Sequence, residues 1–145
     1  MLTWRSISSI DSEFQLAQDI RQKVFVDEQG VNPKDENDSF EISSIHYIVF
    51  DGDDCVATAR SRETRHGLKL ERFAVLSSYR GKGVGRFLVK KVLKQLISLN
   101  KPIYLHAQIQ VVGFYKKLGF YNDGNMFLEA GIKHYKMFFK PVLSN

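Results

Sequence analysis

The sequence predicts a mixed α/β domain of the α+β kind, with a mostly antiparallel central sheet flanked by helices. Two observations carry this. Extended runs meet at tight turns that favour hairpins: Asp-Gly between IHYIVF and CVATARSR, and His-Gly before LKLERFAV. A segment with helical spacing then follows YRGKGVGR, and its single apolar stripe means that it lies on a sheet.

The elements follow in order. LTWRSIS (residues 2–8) alternates as a first strand. Asp11 or Ser12 can cap a helix running to about Val26, whose apolar residues Phe14, Ala17, Ile20, Val24 and Phe25 recur at helical spacing. DEQGVNPKDENDSFEI (27–42) holds Gly, Pro and several Asp and Asn residues, and reads as a loop long enough to serve a function. The two hairpin strands and LKLERFAV come next. In the helix after the glycine turn, Val84, Phe87, Leu88, Val92, Leu96 and Leu99 oppose Arg86, Lys90, Lys91 and Lys94, and Pro102 suits its end. PIYLHAQ reads as a buried strand and VVGFYKKLGF as a short helix stopped by Gly119. MFLEAGIKHYKMFFK reads as an antiparallel pair bent at Ala130-Gly131.

The chain has 145 residues, near the modal domain size, so a single domain over 1–145 is expected. With 43% hydrophobic and 26% charged residues it is neither disordered nor fibrous. Cys55 stands alone, which excludes an intrachain disulfide and a cysteine-based zinc site and suits a reducing cytoplasm. The scattered His46, His134 and Cys55 give no reason to expect a metal. No apolar run approaches the roughly 18 residues of a membrane span, and no leader pattern opens the chain, so neither membrane insertion nor export is expected. The net charge of +5 is unevenly spread. Basic residues gather from Arg80 to Lys101 and again at Lys116, Lys117, Lys133, Lys136 and Lys140, whereas the first third is acidic. Only one half looks like an anion site. The basic helix lacks the interleaved exposed aromatics of a nucleic-acid surface, so nucleic acid is not the expected partner.

YRGKGVGR itself can hold phosphate, because glycines let an anion reach the free N-H groups at the start of a helix. Two familiar phosphate patterns fail. Lys82 is followed by Gly83 rather than Ser or Thr, and the glycine spacing is not that of a dinucleotide fingerprint. The remaining pattern, Arg80, Gly83 and Gly85, resembles the pyrophosphate loop of the GNAT superfamily of acyl-CoA N-acyltransferases. FAV stands where that family has its splayed fourth strand, and FYKKLGF (114–120) resembles its C-terminal hallmark, about 30 residues beyond the loop. With RQKVFVDEQG near the front and EAGIKH near the end, the chain is most similar to the small bacterial ElaA/YjcF-type members.

The resemblance implies a GNAT-type sheet and an acetyl-CoA-dependent N-acetyltransferase acting by direct attack of a primary amine, on a small molecule or peptide, within a ternary complex. It implies that the backbone of Phe73 and Val75 bonds pantetheine. The N-H groups from Gly81 through Lys82, Gly83, Val84 and Gly85 to Arg86 receive the pyrophosphate, and Arg80 and Lys82 add charge. Phe114 belongs to the same cofactor site. Gln108 stands seven positions before Tyr115, where many members carry Asn. Tyr115 is the implied general acid. By the period of two Glu71 shares a strand face with Phe73 and Val75 and points toward the cleft if they do, which makes it a candidate base, or else a salt-bridge partner of Arg60 or Arg62. His106 sits on a strand beside the cleft and can titrate near neutrality, although a lone strand histidine also serves as a core residue. Glu28 and Gln29 fall where the family places acceptor recognition. The alternative function is a non-catalytic acyl-CoA-binding module, and the oligomeric state, homodimer included, is left open.

Overall fold

The computed structural model describes residues 1–141; residues 142–145 of the expected domain lie outside it. Seven strands form one sheet: β1 (Leu2–Ile7), β2 (Ile45–Asp51), β3 (Asp54–Thr64), β4 (Gly67–Val75), β5 (Ile103–Gln108), β6 (Phe120–Glu129) and β7 (Ile132–Phe139). Their order is β1-β2-β3-β4-β5-β7-β6. All neighbours are antiparallel except β4 and β5. That parallel pair requires a crossover, supplied by α3 (Val84–Leu96).

The sheet is covered on both faces. Val84, Leu88, Val92 and Leu96 of α3 are buried as the apolar stripe requires, against Tyr47, Val49, Leu68 and Leu70. Phe87 is only partly buried and Leu99 is exposed. On the opposite face α1 (Phe14–Arg21) sets Phe14 and Ala17 against Ile48 and Phe50, and its Ile20, with Val24 from the turns that follow, against Ala74. Strand β2 therefore alternates between two cores, Tyr47 and Val49 in one and Ile48 and Phe50 in the other.

Three local expectations are corrected. The first helix does not run uniformly to Val26, since after Arg21 it widens into a π-type coil over Gln22–Glu28. The 27–42 loop contains a short helix α2 (Pro33–Glu36), started by the Asn32 side chain accepting from the Lys34 N-H at 2.9 Å and by Pro33 at the first helical position. β6 begins at Phe120, directly after the helix α4 (Val112–Lys117), rather than at Met126. The β6–β7 turn does fall at Ala130-Gly131, both at positive φ.

Two features of β4 create the site. It pairs with β5 only at Leu68–Ile103, Lys69–Tyr104 and Leu70–Leu105, after which β4 stays with β3 and β5 with β7, so a gap opens in the sheet. The second is a bulge. Arg60 faces Glu71 and Thr58 faces Ala74, leaving Ala59 opposite both Arg72 and Phe73, and Arg72 takes φ +59°.

Candidate active site

The gap between β4 and β5 is the mouth of a cleft of about 480 Å³, whose walls include Gln29, Phe73, Ala107, Gln108, Tyr115 and Glu129. Phe73 packs edge-on to Tyr115, with ring centroids 6.2 Å apart, and Phe114 meets Tyr115 from the other side at 5.1 Å. Tyr115 is 8% exposed, and its burial pushes the phenol pKa upward, so the hydroxyl keeps its proton throughout the neutral range. It is a donor, never an ionised base, near neutral pH.

The glycine turn lies beyond Val75. Gly81 and Gly83 take φ of +74° and +82°, and a Cβ at either would meet no protein atom within 4 Å. Their outer side is therefore open backbone, a cradle that suits a pyrophosphate. The first helical bond of α3 runs from the Phe87 N-H to the Gly83 carbonyl, leaving the N-H groups of Val84, Gly85 and Arg86 free of helical partners. Gly85 has a different role, since a Cβ there would lie 3.6 Å from Phe114 and 3.9 Å from Val75. Lys82 sits over the Tyr79 ring. The Arg86 side chain turns to a second groove of about 370 Å³ shared with Lys90, Lys94 and Lys117.

Arg80 departs from a simple phosphate ligand. Its Nε donates to the Val75 carbonyl at 2.9 Å and its Nη2 to Glu28 Oε2 at 2.8 Å. The coil Gln22–Glu28 ends beside the glycine turn, so Glu28, expected on the acceptor side, is paired with Arg80. Gln29, the next residue, does line the cleft.

The strand face expected for Glu71 is corrected. Leu68 and Leu70 face the α3 core, yet so do Phe73 and Val75, because the extra residue at the bulge reverses the alternation. Glu71 therefore points to the α1 face, opposite Phe73 and Val75. There Arg60 Nη2 reaches its Oε1 at 2.6 Å, Arg62 Nε the same atom at 2.6 Å, and Lys69 Nζ its Oε2 at 3.5 Å. Burial opposes its ionisation, but these cations outweigh burial and lower its pKa. The pairing with Arg60 and Arg62 is the arrangement found, although Glu71 still touches the cleft through the gap.

This pairing is part of a network invisible to spacing rules. Arg21 and Arg60 are each 1% exposed. Arg21 Nε donates to Glu36 at 2.5 Å and its Nη1 to Glu41 at 2.8 Å, while Arg60 binds Asp38 at 2.7 Å and also Glu41. Arg72 adds ion pairs with Glu36 at 2.8 Å and Asp38 at 3.2 Å, which offset the left-handed backbone it adopts. The acidic loop is thereby bound to β3 and β4 as a fixed wall rather than left as solvated chain. The signal in the sequence is two arginines, Arg21 and Arg60, embedded in otherwise apolar helix and strand patterns.

On the far wall, His106 and Glu129 meet at 3.1 Å, with His134 beside them. His134 and Glu129 come from the hairpin that no sequence signal tied to the cleft. Among the described residues no group of three or more His, Cys, Asp or Glu is placed to hold a metal.

A split parallel pair, a glycine turn at a helix start and a buried tyrosine beside the split are the arrangement expected of an acyltransferase. The acetyltransferase (GNAT) domain family matches residues 16–140, and the chain belongs to it. It is 40% identical over 120 residues to the uncharacterized N-acetyltransferase YjcF of Bacillus subtilis, covering 81% of this chain and 86% of that one. The crystal structure of Escherichia coli ElaA superposes with a TM-score of 0.86 at 27% identity, covering 97% of this chain and 100% of that one. The PaiA N-acetyltransferase of Thermoplasma acidophilum, in complex with coenzyme A, shares the fold at a TM-score of 0.72 and 13% identity, over 97% and 99% of the chains. The protein is an N-acetyltransferase, of a family that uses acetyl-CoA and an acceptor. No helix among the described residues is long and apolar enough to cross a membrane.

Proposed function

We propose that the protein, acting as one domain, transfers the acetyl group of acetyl-CoA to a primary amine of a small molecule or peptide, by direct attack within a ternary complex. The observation that carries this is the opening of β4 from β5 beyond Leu70–Leu105, with Tyr115 on one side and the glycine turn at the end of β4. Strand β4 loses its partner there, which leaves the backbone of Phe73 and Val75 to bond the pantetheine arm in place of a strand. The N-H groups from Gly81 to Arg86 take the pyrophosphate, with Lys82 and Arg80 adding charge. Gln108 and Phe114 border the arm.

The roles in chemistry follow from the same surroundings. Backbone N-H groups near Val75 polarise the thioester carbonyl, and Tyr115 protonates the departing thiolate. Glu71 is a poor base because three cations hold it ionised, so its role is to orient Arg60 and Arg62 behind the cleft. Gln29 and the wall built on Glu36 face the acceptor side. Calorimetry with acetyl-CoA tests the cofactor half of the proposal. Gly83→Val forces a β-branched residue to φ +82° and fills the cradle, so affinity should fall at least tenfold. Affinity equal to wild type would show that the turn does not bind the pyrophosphate.

A further inference from the structure

We propose that His106 is the general base of the transfer and that Glu129 positions it; this rests on the acetyltransferase reading above. His106 lies on β5 and Glu129 ends β6, two strands separated by β7, yet both line the cleft. Glu129 Oε1 stands 3.1 Å from His106 Nδ1. A carboxylate only accepts, so Nδ1 carries the hydrogen, and the ring's basic lone pair is left on Nε2, which bonds no described residue. Edge contacts with Phe127 at 5.0 Å and a tilted contact with Tyr104 at 6.0 Å fix the ring plane. The bond from His106 is also the leading reason the Glu129 pKa is lowered, so the carboxylate stays ionised as the arrangement requires.

His134 completes the cluster. Its Nδ1 donates to the Ile132 carbonyl at 2.7 Å, and its Nε2 lies 3.5 Å from Glu129 Oε2. Only the protonated ring presents a hydrogen to the carboxylate there. The other charges around His106 are Lys69 on β4, which acts on Glu129, and Lys136 on β7, its cross-strand partner, whose Nζ lies over the Tyr104 and Phe138 rings. Glu71 cannot take the role, because its lone pairs are turned to Arg60, Arg62 and Lys69.

The step balances as follows. An acceptor ammonium gives one proton to His106 Nε2, and the freed lone pair forms the N–C bond to the thioester carbonyl carbon. The C–S bond breaks with its electron pair going to sulfur, which takes the Tyr115 hydroxyl proton. The second proton leaving nitrogen restores the tyrosine, and the first leaves His106 for solvent.

The test is amine-dependent thiol release from acetyl-CoA across pH 5.5 to 9, using a diamine, an amino-acid ester and a lysine peptide, for wild type, His106→Gln and Glu129→Gln. Acetyl-CoA calorimetry on each protein checks that the fold is kept. His106→Gln should lose about a hundredfold in kcat/KM for the amine and lose the acid limb of the profile. Glu129→Gln replaces the acceptor-only carboxylate by an amide that can also donate, so Nδ1 is no longer held as the donor, and kcat for the amine should fall about tenfold with cofactor binding unchanged. A wild-type rate and limb in His106→Gln, or an unchanged kcat in a folded Glu129→Gln, overturns the proposal and leaves the acetyltransferase reading intact. If wild type turns over none of the amines, that reading and the base fall together.

Discussion

Tyr115 and Glu28 show how much one contact decides. Tyr115 is wedged between Phe73, Phe114 and Phe120, so its ring is structural, and the proposed proton transfer belongs to its hydroxyl. Tyr115→Phe keeps the wedge, and we expect unchanged acetyl-CoA affinity with kcat down about a hundredfold where chemistry limits the rate. Single-turnover kinetics checks this, and an equal rate would remove Tyr115 from the mechanism. Glu28 pairs with a half-exposed Arg80, a bond of small net worth to stability. Its charge matters more to an anionic ligand. Glu28→Gln releases Arg80 and deletes a negative charge beside the glycine turn, so acetyl-CoA should bind about two- to fivefold more tightly at low salt, the gain fading as salt rises. Calorimetry at two ionic strengths reads both effects.

At the scale of elements, the site depends on where β4 and β5 join and where they part. Gly67 sits at the join with φ +133°, and a Cβ there would lie 2.3 Å from the Pro102 carbonyl oxygen, which accepts the Leu68 N-H at 2.7 Å. Gly67→Ala must break that approach as well as strain the backbone. We expect a loss of about 2 kcal/mol or more and a melting temperature roughly 5–10 °C lower, measured by thermal unfolding. The hairpins, the α3 stripe and the glycine turn were legible because each is a local pattern: Asp-Gly, 3.6-residue spacing, alternating glycines. The bulge was not. Nothing in LKLERFAV marks Arg72 as the residue to adopt a left-handed backbone, since the cause is its distant bonds to Glu36 and Asp38. Reading Glu71 by strict alternation therefore placed it on the wrong face. The pairing of Glu28 was illegible for a similar reason, because its partner Arg80 is 52 positions away.

Across the whole molecule, the ionic wall ties the acidic loop to the sheet and makes the fold sensitive to acid. Burial opposes the charge on Asp38, but hydrogen bonds from Arg60 and the Phe40 N-H, with the Arg60 and Arg72 charges, bring its pKa down to about 2. Glu71 is lowered likewise. Both are depressed on folding, so their contribution is full above the unfolded values near 4 and disappears as pH falls towards about 2. Urea unfolding should show stability falling over that window, and Glu71→Gln should flatten the fall; an identical slope would exclude Glu71 from the linkage. In the proposed function the fold brings an acyl donor and an acceptor to the two sides of one gap in a sheet. The most direct measurement is the release of CoA thiol from acetyl-CoA by the purified protein as a primary amine is varied, with the acylated amine identified by mass spectrometry. The account predicts thiol release that saturates with amine and matches N-acetylated product one for one. Tight acetyl-CoA binding with no amine-dependent release across the panel would contradict it and leave a module that binds acyl-CoA without using it.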